Sequence, residues 1–288
     1  MNRDRPSAGC IGIVLPLLLV LFASGCATST PAPTPPSLTP MGAPFQIDRA
    51  RVVEQTAIPV YGYKVVATYP HDTDSYTEGL LMQNGSMYEG AGLYGVSRLR
   101  QYELATGRVI HEEALDKQYF GEGVTILDGT IYQLTYLSNL GFTYDQKTFA
   151  RSGSFRYLTQ GWGLTTDGHR LLMSNGSSSI LFLSPKALEV EGSVFVSDDA
   201  GPVGFLNELE YADGKLYANV WQSDFIAIIA PDSGRITGWI DLAGLNPDPA
   251  LLKYPYVLNG IAINEATGRL LVTGKRWPAI YEIELVKR

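Results

Sequence analysis

The chain of 288 residues is poor in cysteine and histidine, with two of the first, Cys10 and Cys26, and three of the second, His71, His111 and His169. Both cysteines fall near the start, so the body of the chain has neither a disulfide nor a thiol nucleophile. The histidines are scattered, and no H-x-x-H or C-x-x-C spacing occurs. A zinc site therefore has no legible ligand set, and no metal ligand is assigned. Basic clusters are also missing, and the net charge is −7. An acidic chain without a basic patch lacks the electrostatic footprint of a nucleic-acid binder. No apolar period of 3.6 residues is sustained over ten residues or more, which excludes long amphipathic helices.

The first 46 residues are read as address and tether. Arg3 and Arg5 precede an apolar run from Ile11 to Ala23, too short for a comfortable membrane span, followed by Ala23-Ser24-Gly25-Cys26. That order describes an export signal over residues 1–25. The small-residue box ending in cysteine resembles a bacterial lipoprotein signal, which implies cleavage before Cys26 and a lipid on its sulfur. Residues 26–46 are then a lipidated cysteine and a tether rich in Pro, Ser, Thr and Ala, a composition that cannot bury a core. Residues 47–288 form the folded domain, and about 240 residues suffice for a sizeable core. The expected location is outside the cytoplasm, anchored by lipid in the periplasm or at the outer membrane, with a monomer as the expected state.

Within the domain one pattern recurs. "SYTEGLLMQNGSMYEGAG" starts at Ser75, "YFGEGVTILDGTIYQLTY" at Tyr119, "TQGWGLTTDGHRLLMSNG" at Thr159, "FLNELEYADGKLYANVW" at Phe205 and "VLNGIAINEATGRLLVTGK" at Val257. Aligning Glu78, Glu122, Trp162, Glu208 and Gly260 gives spacings of 44, 40, 46 and 52. Each unit reads as an apolar strand, a turn rich in Asp/Asn-Gly, a second strand, and then outer strands such as "GFTYDQKTF" and "ARSGSFRY". Four strands per unit at this period predict an all-β, five-bladed β-propeller. The last unit has only three strands, and "YGYKVVATYPH" before the first unit is spare. It is expected to supply the missing outer strand and close the ring.

This geometry places every first-strand start and every second-strand end at one mouth of the central channel. The starts bring Tyr76, Glu78, Phe120, Glu122, Trp162, Asn207 and Glu208; the ends bring Glu89, Tyr136, Asn175, Trp221 and Lys275. Aromatic walls with a few carboxylates, amides and a lysine suit a small polar ligand. Glu122, between Gly121 and Gly123 and beside aromatic rings, should feel desolvation and have a raised pKa. Glu210 and Asp213 are read as structural.

The motifs "YTEGL", "FGEGVT", "GWGLTTDG", "LNELEY", "YANVWQSD" and "LNGIA…VTGKRWP" resemble the glutaminyl cyclotransferases of plant and bacterial type, from about Tyr61 to Glu284. The resemblance implies a five-bladed propeller that cyclises the N-terminal glutamine of peptides to pyroglutamate with release of ammonia. It implies Glu122 as the acid/base, with Tyr76, Glu78, Phe120, Tyr136, Trp162, Asn207, Trp221 and Lys275 binding substrate or stabilising charge. It requires no cofactor. It allows a structural calcium ion in the channel, for which no ligand set is legible. Two positions depart from the family pattern: Glu78 stands where glutamine is usual, and Tyr136 where tryptophan is usual. Two other readings use the same mouth. A lipid-anchored propeller that only binds peptide or glycan would not need Glu122, and a metal-dependent lactonase would need a ligand cluster in the channel.

Overall fold

The computed structural model describes residues 47–251 and 254–288. The expected export segment, Cys26 and the tether lie outside the described residues. Strand β1 (Val60–Pro70) is followed by a four-stranded antiparallel sheet, β2 (Thr77–Gln83), β3 (Ser86–Ala91), β4 (Arg98–Tyr102) and β5 (Val109–Ala114). A second sheet is β6 (Gly121–Leu127), β7 (Thr130–Thr135), β8 (Leu140–Asp145) and β9 (Arg151–Arg156). A third is β10 (Leu164–Thr166), β11 (Leu171–Ser174), β12 (Ser179–Leu183) and β13 (Val190–Phe195). After a small ribbon, β14 (Ser197–Asp198) with β15 (Gly201–Pro202), come β16 (Leu206–Ala212), β17 (Lys215–Val220), β18 (Phe225–Ile229) and β19 (Ile236–Asp241). The last strands are β20 (Leu258–Asn264), β21 (Arg269–Gly274) and β22 (Ala279–Lys287). The fold is all-β, and its only helical pieces among the described residues are short.

The local chemistry explains the hairpins. Asn84-Gly85, Asp128-Gly129 and Asp213-Gly214 all have positive φ at both residues, from 50° to 75°. This is the type I′ turn that matches strand twist, and Asn or Asp followed by Gly adopts it at least cost. The opening strands are buried along their length, β6 entirely, because both faces are covered. Apolar layers separate neighbouring sheets. Tyr132 and Leu134 meet Leu171 and Met173. Leu172 and Ile180 meet Leu209, Ala218 and Ala227. Leu80 and Met87 meet Ala262, Leu271 and Ile280. The opening strands touch one another in sequence: β2 with β6, β6 with β10, β10 with β16, β16 with β20, and β20 with β2.

Strands β16 to β22 and β1 form one eight-stranded sheet in the order β16-β17-β18-β19-β1-β22-β21-β20. Its two antiparallel halves are joined by a short parallel contact, Val60 opposite Trp239 and Tyr61 opposite Ile240. On its other side β1 pairs antiparallel with β22 from Tyr61 opposite Lys287 to Pro70 opposite Ala279. The spare N-terminal strand thus lies in the outer position that β20–β22 lack. Ahead of it, a π-helical turn (Arg51–Gln55) buries Val52 against the β16–β19 layer. Asp241, wholly buried, accepts from Arg49 and pairs with Arg288. One carboxylate therefore fastens segments near both ends of the chain.

Candidate active site

The opening strands share a distortion that the sequence does not announce. The β2/β3 ladder slips by one residue between Thr77 and Gly79, and β6/β7 between Gly121 and Val124. The β16/β17 ladder slips between Leu206 and Leu209, and β20/β21 between Leu258 and Ile261. In the third sheet Trp162 N donates to Ser174 O while Ser174 N donates to Gly163 O, so one residue again faces two. Each is a β-bulge, a device that re-aims a side chain. The first bulge positions hold Glu78, Glu122, Trp162, Asn207 and Asn259.

The second positions hold Gly79, Gly123, Gly163, Glu208 and Gly260, and glycine is needed there for space. A Cβ on Gly123 would collide with the backbone N of Leu164, and one on Gly163 with the carbonyl O of Asn207. This register corrects the alignment of Glu208 and Gly260 with Glu78, Glu122 and Trp162, since Asn207 and Asn259 are the true counterparts. Glu208 consequently leaves the mouth. Its two oxygens accept from Leu80 N (3.1 Å) and Ile261 N (2.7 Å), tying three opening strands together.

The nine expected site residues come together. Lys275 Nζ donates to Glu78 Oε1 at 2.6 Å and lies 4.6 Å from the Tyr76 ring centroid. Aromatic rings then run in an unbroken series. Tyr76 meets Phe120 (6.1 Å), Phe120 meets Tyr136 (5.8 Å), Tyr136 meets Trp162 (6.5 Å) and Trp162 meets Trp221 (5.5 Å). Asn207 is buried beside Trp162, and its carbonyl accepts from Ser174 Oγ. Two residues expected at the mouth belong elsewhere. Glu89 turns to His71 and Thr77. Asn175 caps a turn through Ser177 and bonds Thr159. As expected, Glu210 holds backbone, accepting from Ile263 N, and Asp213 sits in a turn.

Several neighbours escaped the sequence reading. Tyr94 packs on Phe120, Phe205 stacks on Trp221, and Tyr254 meets Trp221 edge-on. Trp162 Nε1 donates to Gln160 Oε1. Asn259 donates to Glu78 Oε2 at 3.2 Å. The clue to Asn259 was present, for "LNGIA" repeats the Leu-Asn of "LNELE". The tyrosines stand in loops outside the repeat and had no such signal.

Electrostatics single out Glu122. Burial pushes its carboxyl well above the usual range; the Glu78 charge and a hydrogen bond to Glu78 push the same way, and Lys275 opposes. Burial raises Glu78 too, against the attraction of Lys275. Two neighbouring buried carboxyls disfavour double ionisation. With Lys275 on Glu78, Glu122 is the carboxyl pushed further up. The pocket therefore holds an acid with a raised pKa, a second carboxyl bonded to a lysine, two amides and an aromatic wall. Such a set can bind a small polar group and pass it a proton.

Deeper along the opening strands, both Glu208 oxygens accept from backbone N–H groups, and burial raises Glu208 well above the usual range and Glu210 to about 8. Among the described residues no group of three or more His, Cys, Asp or Glu is placed to hold a metal.

The fold and site define an all-β protein that gathers buried carboxyls, a lysine and a series of aromatic rings where its opening strands begin. The sequence pattern of the glutamine cyclotransferase family matches residues 41–285. A glutaminyl-peptide cyclotransferase of Arabidopsis thaliana is 43% identical over 228 residues, covering 77% of this chain and 71% of that protein. The crystal structure of Myxococcus xanthus glutaminyl cyclase is similar with a TM-score of 0.74 at 34% identity, over 80% of this chain and 99% of that one. The chain belongs to the glutamine cyclotransferase family.

Behind the pocket a buried ion pair holds Lys275 in place. His71 Nδ1 donates to Trp277 O (2.7 Å), and Nε2 lies 3.1 Å from Glu89 Oε1. His71 N donates to Pro278 O and Arg276 N to Ser75 O, fastening the loop that carries Lys275 to the segment leading into β2. Burial alone would lower His71, but the Glu89 charge, its hydrogen bond, the Trp277 carbonyl and Asp72 raise it overall. A raised histidine stabilises the fold fully below its unfolded value of ~6.5, and that contribution is lost as pH climbs through the folded value. His71→Gln keeps a donor for Trp277 O and removes the charge. At pH 6 it should cost roughly 3–5 kcal/mol, the range for breaking a buried pair. The gap in melting temperature between wild type and variant should narrow as pH rises, and a gap independent of pH between 6 and 9 would contradict an ionised pair.

Proposed function

We propose that the protein cyclises the N-terminal glutamine of peptides to pyroglutamate, releasing ammonia, by acid/base catalysis at Glu122 and without a metal. The observation that carries this reading is the buried Glu122 beside the Glu78–Lys275 pair under an aromatic wall, its carboxyl pushed well above the usual range by burial and the Glu78 charge. The names of the plant and bacterial relatives point to the same reaction.

The substrate's own α-amine is the nucleophile, so the want of a cysteine in the domain is no obstacle. Its pKa near ~8 leaves a neutral fraction at physiological pH. The amine nitrogen bonds to the carboxamide carbon, and a five-membered ring closes. The aromatic series would confine the short side chain so that these atoms lie close, which supplies much of the rate. Glu122 gives its proton to the leaving nitrogen as the carbon–nitrogen bond breaks. The carboxylate so formed takes the proton that the former amine must lose. One proton leaves the protein and one returns, and the products are lactam and ammonia. Lys275, Asn207 and the Trp221 indole N–H are the donors offered to the oxyanion, the Trp162 N–H being bonded to Gln160.

Three further points belong to the same proposal. The sheets are five blades, with β16–β19 and β20–β22 plus β1 as separate blades touching at their outer edges. The closed sequence of contacts among the five opening strands supports this. The protein works as a monomer. It is exported and held at the cell envelope by a lipid on Cys26, with residues 27–46 as the tether. Mass spectrometry of the mature N terminus tests the last point: acylated Cys26 is expected, and an unmodified start elsewhere would overturn it.

The test of mechanism compares the same Glu→Gln substitution at two positions. Glu122→Gln keeps shape but cannot relay a proton, and should lower kcat by ~10²–10⁴ with the fold intact. Glu78→Gln removes the like charge beside Glu122 but leaves the burial that is the larger cause of its raised pKa. It should keep activity within about tenfold, and because Glu122 loses a like charge, the alkaline limb should move to lower pH. Equal losses in both variants, or an active Glu122→Gln enzyme, would remove Glu122 from this role. The readout is ammonia release from a Gln-initiated dipeptide, with and without chelator.

A further inference from the structure

We propose that Asn259 selects N-terminal glutamine over N-terminal glutamate by accepting a hydrogen bond from the substrate's carboxamide N–H. The inference rests on the cyclisation reading above and concerns a residue that this reading leaves without a role. Asn259 is wholly buried at the first bulge position of β20, the counterpart of Glu78 and Glu122. Its orientation is fixed by chemistry. Nδ2 donates to Thr77 O at 2.9 Å and to Glu78 Oε2 at 3.2 Å. Turning the amide over would set its oxygen against a carbonyl and a carboxylate, which only accept. Oδ1 therefore points the other way, and it is buried with no hydrogen-bond partner among the described residues. The next opening strand repeats the arrangement, for Asn207 Oδ1 is likewise buried without a partner.

A buried acceptor without a donor is unfavourable, and two at equivalent positions of one pocket need a common reason. An N–H donor from the substrate supplies it. Glutamine brings two N–H bonds on its side chain. Glutamate brings a carboxylate, which has none and is repelled by amide oxygens. The α-amine also carries N–H bonds, but both peptides have it, so its capture gives no discrimination. Glu122 exchanges protons with both substrate nitrogens in turn, and the amide oxygens on β16 and β20 accept from the carboxamide N–H. Sites built to bond a donor reject analogues that lack it far more strongly than apolar pockets reject a missing methyl.

The test measures KM for a Gln-initiated dipeptide and the inhibition constant of its Glu-initiated counterpart at pH 8. Wild type should favour the glutamine peptide strongly. Asn259→Leu, of similar volume and without polar atoms, should shrink that preference at least about tenfold while still releasing ammonia. An unchanged preference in folded Asn259→Leu would overturn the proposal. Should Asn259→Leu not fold, a peptide whose side-chain amide is N,N-dimethylated serves with wild type: weak inhibition, like that of the glutamate peptide, is expected, and binding as tight as glutamine overturns it. A wild-type protein that releases no ammonia would instead strike down the cyclisation reading itself, and this inference with it.

Discussion

The constraint on which the site depends is the crowding of backbones where the opening strands converge. Strands this close leave no room for a Cβ at Gly79, Gly123 and Gly163, and four of the five second bulge positions are glycine. The extra residue in each strand turns the preceding side chain, at the first position, toward its counterparts on neighbouring strands. Glu78, Glu122, Asn207 and Asn259 are thus delivered by backbone geometry on strands, and Trp162 by the segment leading directly into β10. A catalytic group needs to be held within a fraction of an ångström, and a bulge locked between paired strands provides that.

That placement brings an electrostatic problem, and its solution is the proposed chemistry. Two carboxyls and one ammonium buried together cannot all be ionised without an unpaired charge in a poorly solvated place. The lysine satisfies one carboxylate, and the other carboxyl keeps its proton. A proton held by the surroundings on Glu122 is one that can be lent to a leaving group. The exception at the second bulge position follows the same rule. Glu208 is buried, but its oxygens meet backbone N–H groups, so it braces strands and takes no part in the pocket.

Much of this was legible in the amino-acid order. Asp128-Gly129 and its equivalents announce the hairpins because few dipeptides tolerate two positive φ angles in succession. The repeat placed the nine candidate residues at one mouth, and the family resemblance set them apart from Glu89, Asn175 and Glu208, which the repeat placed there too. The error lay in register. A one-residue bulge does not alter hydrophobic alternation enough to be seen, so Glu208 was aligned where Asn207 belongs, and Asn259 went unremarked. Tyr94 and Tyr254 were missed because loops outside the repeat carry no period. The His71–Glu89 pair was hidden for another reason: it joins residues whose proximity depends on how β1 adds to β22.

The central claim is that Glu122 is protonated at neutral pH while Glu78 pairs with Lys275. Infrared difference spectroscopy of wild type against Glu122→Gln tests it directly, since a carboxylic acid and a carboxylate absorb at well-separated frequencies. At pH 7 the wild type should show a protonated-carboxyl band that the variant lacks, and the band should disappear at higher pH. A difference spectrum with only a carboxylate band at pH 7 would contradict the account, because Glu122 would then have no proton to give.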